Sequence, residues 1–336
     1  MTGQKQRNKR VVVIGAGISG LMAARHLSDG GLDVTVLDKA DSVGGRMATR
    51  RLGNVRIDQG VQYFHATHPI FKRHVERWNN EGVLQQWKPQ PNPSSNGHAK
   101  CDPKTWYGNR GMLTLPMFLA RSLKVQLNSE VVHIESQSGK WHIGVKSGDI
   151  HEADGLVITA PAPQTVALLE KVKGIPVDIM MRVRTASYQP MFALMIKLDG
   201  DSGINNAGIL KLHEGPLSWI GDNKNKNPVS SDTAITVLAT PEFSHLKFNE
   251  NLNVVRDELL NAVCPHLASN PVETMLYRWR YAWPIQPLEA PEIALVPAPL
   301  ALAGDGFGGE KSQGYMVEAA ALSGISAAAN LYEILI

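Results

Sequence analysis

Residues 11–24 read VVVIGAGISGLMAA. Val11 to Ile14 is an unbroken β-branched run, the pattern of a strand covered on both faces, as in a parallel sheet. It ends in glycines, and from Ser19 the apolar residues recur at helical spacing through Leu21, Ala24 and Leu27. Gly30 and Gly31 stop that helix before a second apolar run, Val34 to Leu37, so the chain opens as β-α-β within about thirty residues. Between strand and helix stands Gly15-Ala16-Gly17-Ile18-Ser19-Gly20, a G-x-G-x-x-G pattern in the context it requires. The first glycine permits the tight turn, the second lets backbone approach a pyrophosphate, and the third lets helix pack on strand. Asp38 and Lys39 follow the second run, with Asp38 18 residues after Gly20, where a carboxylate accepts hydrogen bonds from ribose hydroxyls. These residues predict a dinucleotide site whose phosphates face a helix N-terminus.

Working outward, Gly44-Gly45-Arg46 bears on which dinucleotide is bound. Glycines there allow close approach, and an arginine offers charge-assisted hydrogen bonds to phosphate oxygens, which favours FAD over NAD. A second signal lies far away in the chain. Leu300 to Ala303 reads as a strand, followed by Gly304-Asp305-Gly306, Gly308-Gly309 and a small-residue helix from about Gly314 to residue 333 that carries Val317 and Glu318. Asp305 is expected to bond the ribityl chain, and the helix N-terminus to favour the electron-rich N1–C2=O edge of a flavin.

With 336 residues the chain suggests two or three domains. Hydrophobic residues make up 43% and charged residues 19%, which provides for a large core and argues against disorder. Residues 71–87 read as an amphipathic helix on Phe71, Val75 and Trp78, and 88–105, with prolines at 89, 91, 93 and 103, as an irregular excursion. From 123 to 161 the segments LKVQLNSEVVHIES, KWHIGVKSG and DGLVITAP predict an antiparallel meander. Residues 164–173 and 251–263 read as helices, 188–198 and 234–240 as strands of another sheet, and Asn205 to Asn206 and Asn223 to Asn227 as polar loops. No internal repeat is evident.

The combination of GAGISGL (15–21), GGRMATRR (44–51), DQGVQYF (58–64), YRWRYAWP (277–284) and GDGFGG…VEAAALSG (304–324) resembles the flavin-dependent amine oxidase superfamily and, within it, the renalase-like enzymes. The resemblance covers nearly the whole chain. It implies an α/β fold of two domains, a Rossmann-type FAD-binding domain and a mixed-sheet substrate domain roofing the isoalloxazine ring, as in p-hydroxybenzoate hydroxylase and the amine oxidases. Residues 1–70, 106–165 and 285–336 are expected in the first, and 71–105 and 166–284 in the second. Cofactor contacts are expected at Gly15, Ala16, Gly17, Ile18, Ser19, Gly20, Asp38, Lys39, Gly45, Arg46, Gln62, Tyr63, Val132, Gly304, Asp305, Gly314 and Val317. Renalase-like enzymes oxidise the 2- and 6-dihydro isomers of NAD(P)H to NAD(P)+ by hydride transfer to flavin N5, and pass the electrons to O2 to give hydrogen peroxide. That step needs no strong general base, because the dihydropyridine nitrogen lone pair drives it; the protein must hold two rings face to face.

Pocket candidates are Tyr63 at the end of DQGVQYF, Thr185 before one sheet strand, His245 after another, Arg280 for the substrate phosphates and Trp283 for an aromatic wall. YRWRYAWP lacks the paired-tyrosine signature of amine oxidases, which counts against amine oxidation. An amine or amino-acid oxidase, or a flavin-binding module without catalysis, remains as the alternative. No cysteine lies near the C-terminal motif, so the FAD is expected to be noncovalent.

The charge balance is mild, with 34 basic against 31 acidic residues and a net charge of +3, so nucleic acid is not an expected partner. Lys5, Arg7, Lys9 and Arg10 read as a solvated arm before the first strand. Cys101 and Cys264 form neither a disulfide framework nor a zinc motif. His65 and His68 have the spacing of a ligand pair, but Pro69 and the lack of accompanying ligands argue against a metal. The glycines of 11–24 distinguish it from a signal peptide, and no run approaches a membrane span. The expectation is a soluble cytoplasmic protein.

Overall fold

The structure, a computed structural model, describes residues 8–87, 104–204, 208–226, 232–288, 292–295, 298–307 and 316–336. It divides into two units, one comprising Met1–Gly45, Pro116–Ser187 and Ile285–Ile336, the other Arg46–Leu115 and Tyr188–Pro284.

In the first unit the β-branched run forms the Arg10–Ile14 strand, buried along Val11 to Ile14. Its neighbours are Asp33–Leu37 and Gly155–Ile158, both parallel to it. Lys124–Gln126 extends the sheet beyond Asp33–Leu37, and Pro299–Leu302 and the antiparallel Glu292–Leu295 extend it on the other side. The helices Ile18–Asp29 and Met316–Leu335 pack together. Their contact depends on Gly324, where a Cβ would overlap the Ser19 carbonyl oxygen. A separate antiparallel sheet consists of Val131–Gln137, Lys140–Val145 and Ile150–Ala153. The buried Trp141 ties it to the parallel sheet by donating from Nε1 to Pro299 O at 2.8 Å.

The antiparallel meander is thus confined to residues 131–153 of the 123–161 stretch expected to form it. Lys124–Gln126 and Gly155–Ile158 at its ends join the parallel sheet instead, because GLVI is buried at every position and needs cover on both faces. Lys9 and Arg10 are not a free arm: Lys9 pairs with Asp154 at 3.8 Å and Arg10 with Glu152 at 2.5 Å. The hydrogen bond from Lys140 holds the Glu152 carboxyl below its ordinary range. Lys5 and Arg7 lie outside the described residues.

In the second unit a five-stranded antiparallel sheet runs in the order Ile209–Lys211, Leu217–Asp222, Thr233–Ala239, Ser187–Leu198 and Pro271–Gln286. The helix Leu252–Val263 covers it with Val255, Leu259 and Val263 against Phe192, Leu194 and Ile196. The hairpin Thr49–Leu52/Val55–Asp58 packs Leu52, Val55 and Ile57 on Met195 and Ala234. A small sheet of Phe64–His65, Thr105–Gly108 and Leu84–Trp87 completes the unit.

Two expectations change here. The helix starting near residue 71 spans Pro69–Asn80 only: Gly82 turns the chain in the left-handed region (φ +71°), and Leu84–Trp87 is a strand. Residues 223–226 form a short helix rather than a loop, capped where Asp222 Oδ1 accepts from Lys224 N at 2.7 Å. Unit boundaries also differ from those expected. Residues 46–70 and 106–115 belong with the antiparallel sheet, since their hairpin and strands pack there, and 166–187 belong with the parallel one. The excursion at 88–103, Asn205, Asn206 and Asn227 lie outside the described residues. No helix among the described residues is long and apolar enough to cross a membrane.

The polar centre of this unit is Asp58, whose side chain is 3% exposed, as is that of Lys226. Lys226 Nζ donates to Asp58 Oδ2 at 2.8 Å and to Gln62 Oε1 at 2.9 Å. Asp58 Oδ1 accepts from Thr49 Oγ at 2.6 Å and Met112 N at 2.8 Å. Truncating one member strands the other's charge in the interior. Lys226→Met is expected to lower unfolding free energy by about 3–5 kcal/mol, measured by denaturant titration; a loss under about 1 kcal/mol, the scale of an exposed pair, would contradict this.

Candidate functional site

The first loop is built by contacts that only glycine permits. Gly15 adopts φ +106°, and a Cβ there would come within 2.5 Å of Thr159 Oγ, which itself donates to Ile14 O at 2.9 Å. A Cβ on Gly20 would overlap Gly15 O, so the helix starts directly upon the loop. Gly17 is different. It caps the helix at φ −75° and ψ 177°, a conformation open to any residue, with no side-chain capping bond, and a Cβ on it would meet nothing within 4 Å. The fold therefore leaves Gly17 facing open space beside an uncapped helix N-terminus, a cradle suited to a pyrophosphate.

Asp38 closes the loop from the second strand. Its Oδ2 accepts from Ala16 N at 2.6 Å and its Oδ1 from Ala40 N at 2.8 Å. Each oxygen keeps a further lone pair for a ribose hydroxyl. Gly44 N donates to Ala16 O at 2.8 Å, and Gly45, at φ +53°, would bring a Cβ within 3.7 Å of Gly17 Cα. The two glycine turns therefore adjoin. Ile18 and Ser19 are buried, and Ser19 Oγ has no hydrogen-bond partner among the described residues. Lys39 is exposed.

The C-terminal motif adjoins through the same sheet. Gly304 adopts φ +133° and its N–H donates to Ser323 Oγ at 3.0 Å. Asp305 is buried at the start of the Asp305–Phe307 turn, and Val317 is buried in the first turn of the last helix. Gly314 lies outside the described residues. Val132 is 55% exposed on Val131–Gln137, an apolar surface unusual for its strand. An uncapped helix start, a carboxylate at the end of the second strand with lone pairs to spare, and a buried aspartate at the second glycine turn fit FAD. Thr159, which shapes the Gly15 turn, had no local sequence signal; its role exists only where two strands meet.

In the second unit, Arg46 Nη1 donates to the carbonyls of Tyr281 and Ala282 at 3.2 and 3.4 Å, and Arg46 O accepts from Val61 N at 2.9 Å. Arg46 is thereby brought beside the YRWRYAWP segment. Gln62 turns inward, its Nε2 donating to Asp58 O at 2.7 Å and its Oε1 accepting from Lys226. Tyr63 is half-buried, with edge contacts to His65 at 5.6 Å and Trp87 at 5.7 Å. Burial raises its phenol above the ordinary value, so it remains a neutral donor at physiological pH. Tyr281 meets Tyr188 edge-on at 5.8 Å, and Trp283 is 38% exposed. Arg280 lies over the Phe248 ring at 4.6 Å.

Thr185 and His245 are exposed and not drawn into these clusters. Thr185 ends the helix Val177–Thr185 in the first unit and donates to Arg182 O at 2.7 Å, while His245 sits in the last turn of Pro241–Leu246 in the second. His68 caps the Pro69–Asn80 helix, accepting from Ile70 N, and His65 Nδ1 lies 3.3 Å from Lys104 O. Lys226, Trp87 and Tyr107 were not foreseen; a lone lysine in a polar stretch carries no signal of burial.

Gly17→Val is expected to fold normally, since its Cβ has free space, yet to purify with little flavin. Full flavin content by visible absorbance would show the cradle to be elsewhere. Asp38→Ala removes both loop anchors and a ribose acceptor, and FAD retention is expected to weaken about tenfold, read by dialysis and flavin fluorescence.

Comparison with known proteins agrees with this geometry. Residues 13–78 match the NAD(P)-binding Rossmann-like domain, and residues 93–332 match the flavin containing amine oxidoreductase family. Renalase of Mus musculus is 25% identical over 293 residues, covering 81% of this chain and 84% of that protein. Probable polyamine oxidase 4 of Arabidopsis thaliana is 47% identical over only 64 residues, 18% of this chain and 13% of that protein. Cyclohexylamine oxidase from Brevibacterium oxydans shares the fold, with a TM-score of 0.73 at 14% identity over 98% of this chain and 99% of its own. Since one family model spans well over half of the chain and the cradle fits its cofactor, the protein belongs to the flavin containing amine oxidoreductases and is an FAD-dependent oxidoreductase.

Proposed function

We propose that the protein is a renalase-type oxidase that converts 2- and 6-dihydro isomers of NAD(P)H to NAD(P)+ with O2 as the terminal acceptor. The observation that carries this reading is coverage. Similarity to renalase runs through 81% of the chain, including its substrate-side segments, whereas similarity to the polyamine oxidase is confined to 64 residues. The departure of YRWRYAWP from the paired tyrosines of amine oxidases supports the same reading.

Bound noncovalently, FAD supplies the hydride acceptor at N5 and returns the electrons to O2 as hydrogen peroxide. The chain's task is binding and orientation, because the substrate's own ring nitrogen supplies the electronic push. Tyr63 serves as an aromatic surface and neutral hydrogen-bond donor, and Trp283 as an apolar wall. Thr185 and His245, both exposed, stand as candidates for the nicotinamide carboxamide or ring, and Arg280 for attracting the substrate's phosphates. A cytoplasmic setting suits both the nucleotide substrate and the exposed thiol of Cys264.

The test is anaerobic mixing of purified protein with the dihydro-NAD isomers, ordinary NADH and a panel of amines, following the visible flavin band. Rapid bleaching by the 2- or 6-dihydro isomers alone is expected. Bleaching by an amine alone would move the protein to amine oxidation, and bleaching by none would make it a flavin-binding module without catalysis.

A further inference from the structure

Arg46 is half-buried, and its Nη1 donates to the backbone carbonyls of Tyr281 at 3.2 Å and Ala282 at 3.4 Å, 235 residues further along the chain. The anchored end of this contact is the arginine's own backbone. Its carbonyl oxygen accepts from Val61 N at 2.9 Å, and a Cβ on Gly60 would overlap that same oxygen, so the 59–63 turn lies flush against Arg46. The turn is fixed in its own right, because Lys226 Nζ reaches Asp58 Oδ2 at 2.8 Å and Gln62 Oε1 at 2.9 Å from the interior.

The softer end is the strand. Pro271–Gln286 is the outermost member of the five-stranded sheet, with no strand beyond it among the described residues. Successive carbonyls of an extended strand point to opposite sides, so one nitrogen reaches two in a row only where the backbone bends. The bend at Tyr281 and Ala282 comes just before Pro284, which has no N–H to give to a ladder. Two aromatic side chains flank it: Tyr281, edge-on to Tyr188 at 5.8 Å, and Trp283, 38% exposed. Trp279 Nε1, donating to Gln59 O at 3.2 Å, makes a second tie between strand and turn, but it lies before the bend and leaves the direction of the following residues to Arg46.

We propose that Arg46 is a positioning residue of the substrate site: its guanidinium holds the bend at Tyr281 and Ala282 and so sets the direction of Trp283 relative to Tyr63. The role in substrate orientation rests on the reading under Proposed function, in which Tyr63 and Trp283 meet the substrate's rings. Aromatic surfaces fixed in advance order a flat ring without a further entropic cost on binding. The requirement is for the planar fork and its reach, since a lysine carries the same charge as a single point donor.

The test compares FAD-loaded wild type, Arg46→Lys and Arg46→Met, with the visible flavin band recorded throughout. The first measurement needs no turnover. Hydrogen exchange of the backbone amides in residues 281–286 is expected to speed up about tenfold in both variants, while Thr233–Ala239 in the middle of the same sheet keeps its wild-type rate. Arg73→Gln, an exposed arginine on the Pro69–Asn80 helix, should alter neither segment. Unchanged exchange at 281–286, or an equal rise in Thr233–Ala239, would overturn the proposal. So would loss of FAD with exchange unchanged, which would make Arg46 a ligand of the cofactor instead.

Turnover separates this from the functional reading. If the dihydro isomers bleach the flavin, Arg46→Lys should slow bleaching at saturating isomer about tenfold, yet less than about twofold when Trp283→Leu is already present. Additive effects of the two substitutions would overturn the action through Trp283 and leave the functional reading in place. If the isomers fail to bleach while exchange at 281–286 rises as expected, the hold of Arg46 on the bend stands and the functional reading falls.

Discussion

The contact of Gly20 with the carbonyl oxygen of Gly15 leaves no room for a single methyl group. Everything at the cofactor cradle depends on that closeness. It seats the first helix directly at the end of the first strand, and so presents unsatisfied N–H groups at a fixed place. Thr159 presses on the same turn from the neighbouring strand, Asp38 anchors it from the other side, and Gly324 lets the last helix settle upon Ser19. Gly17 stands apart, because the protein's own packing makes no demand on it. Sterics would allow a larger residue there, beside a helix end with no side-chain cap.

The second unit solves a different problem. Its turn following Asp58 carries the residues expected near the flavin ring, and a turn of that kind must be held in one conformation. Asp58 and Lys226 hold it from beneath: the lysine reaches both the carboxylate and the Gln62 amide, while Thr236 Oγ donates to Asp58 O at 2.9 Å and Trp279 Nε1 to Gln59 O at 3.2 Å. A buried ion pair adds little net stability compared with apolar packing, but it is directional, and its partners permit few arrangements. The effect at Tyr63 is a phenol set among aromatic edges and kept neutral by burial.

Relatives of very different identity share this architecture, with cyclohexylamine oxidase at 14%. The cradle tolerates little variation because it is fixed by backbone contacts to glycine, whereas the antiparallel sheet needs only apolar faces of the right size.

The geometry of the glycine loop was legible in the sequence, since the loop, the Asp38 carboxylate and the helix start lie within 24 residues of one another, and local steric rules connect them. Short-range order also gave most helices and the strands Ser187–Leu198 and Thr233–Ala239, though not the longest strand, Pro271–Gln286. The apolar runs did not reveal which sheet each strand joins: LKVQ and GLVI look like members of a meander, yet pair in parallel with distant strands. Nor did they reveal the burial of Lys226, a residue that ordinarily reads as surface, because its partners Asp58 and Gln62 are more than 160 residues away. By itself the sequence determined the glycine loop between first strand and first helix, through steric rules acting between neighbours. Only the tertiary structure decided the pairing of strands and the buried ion pair, because each depends on groups that folding alone brings within reach.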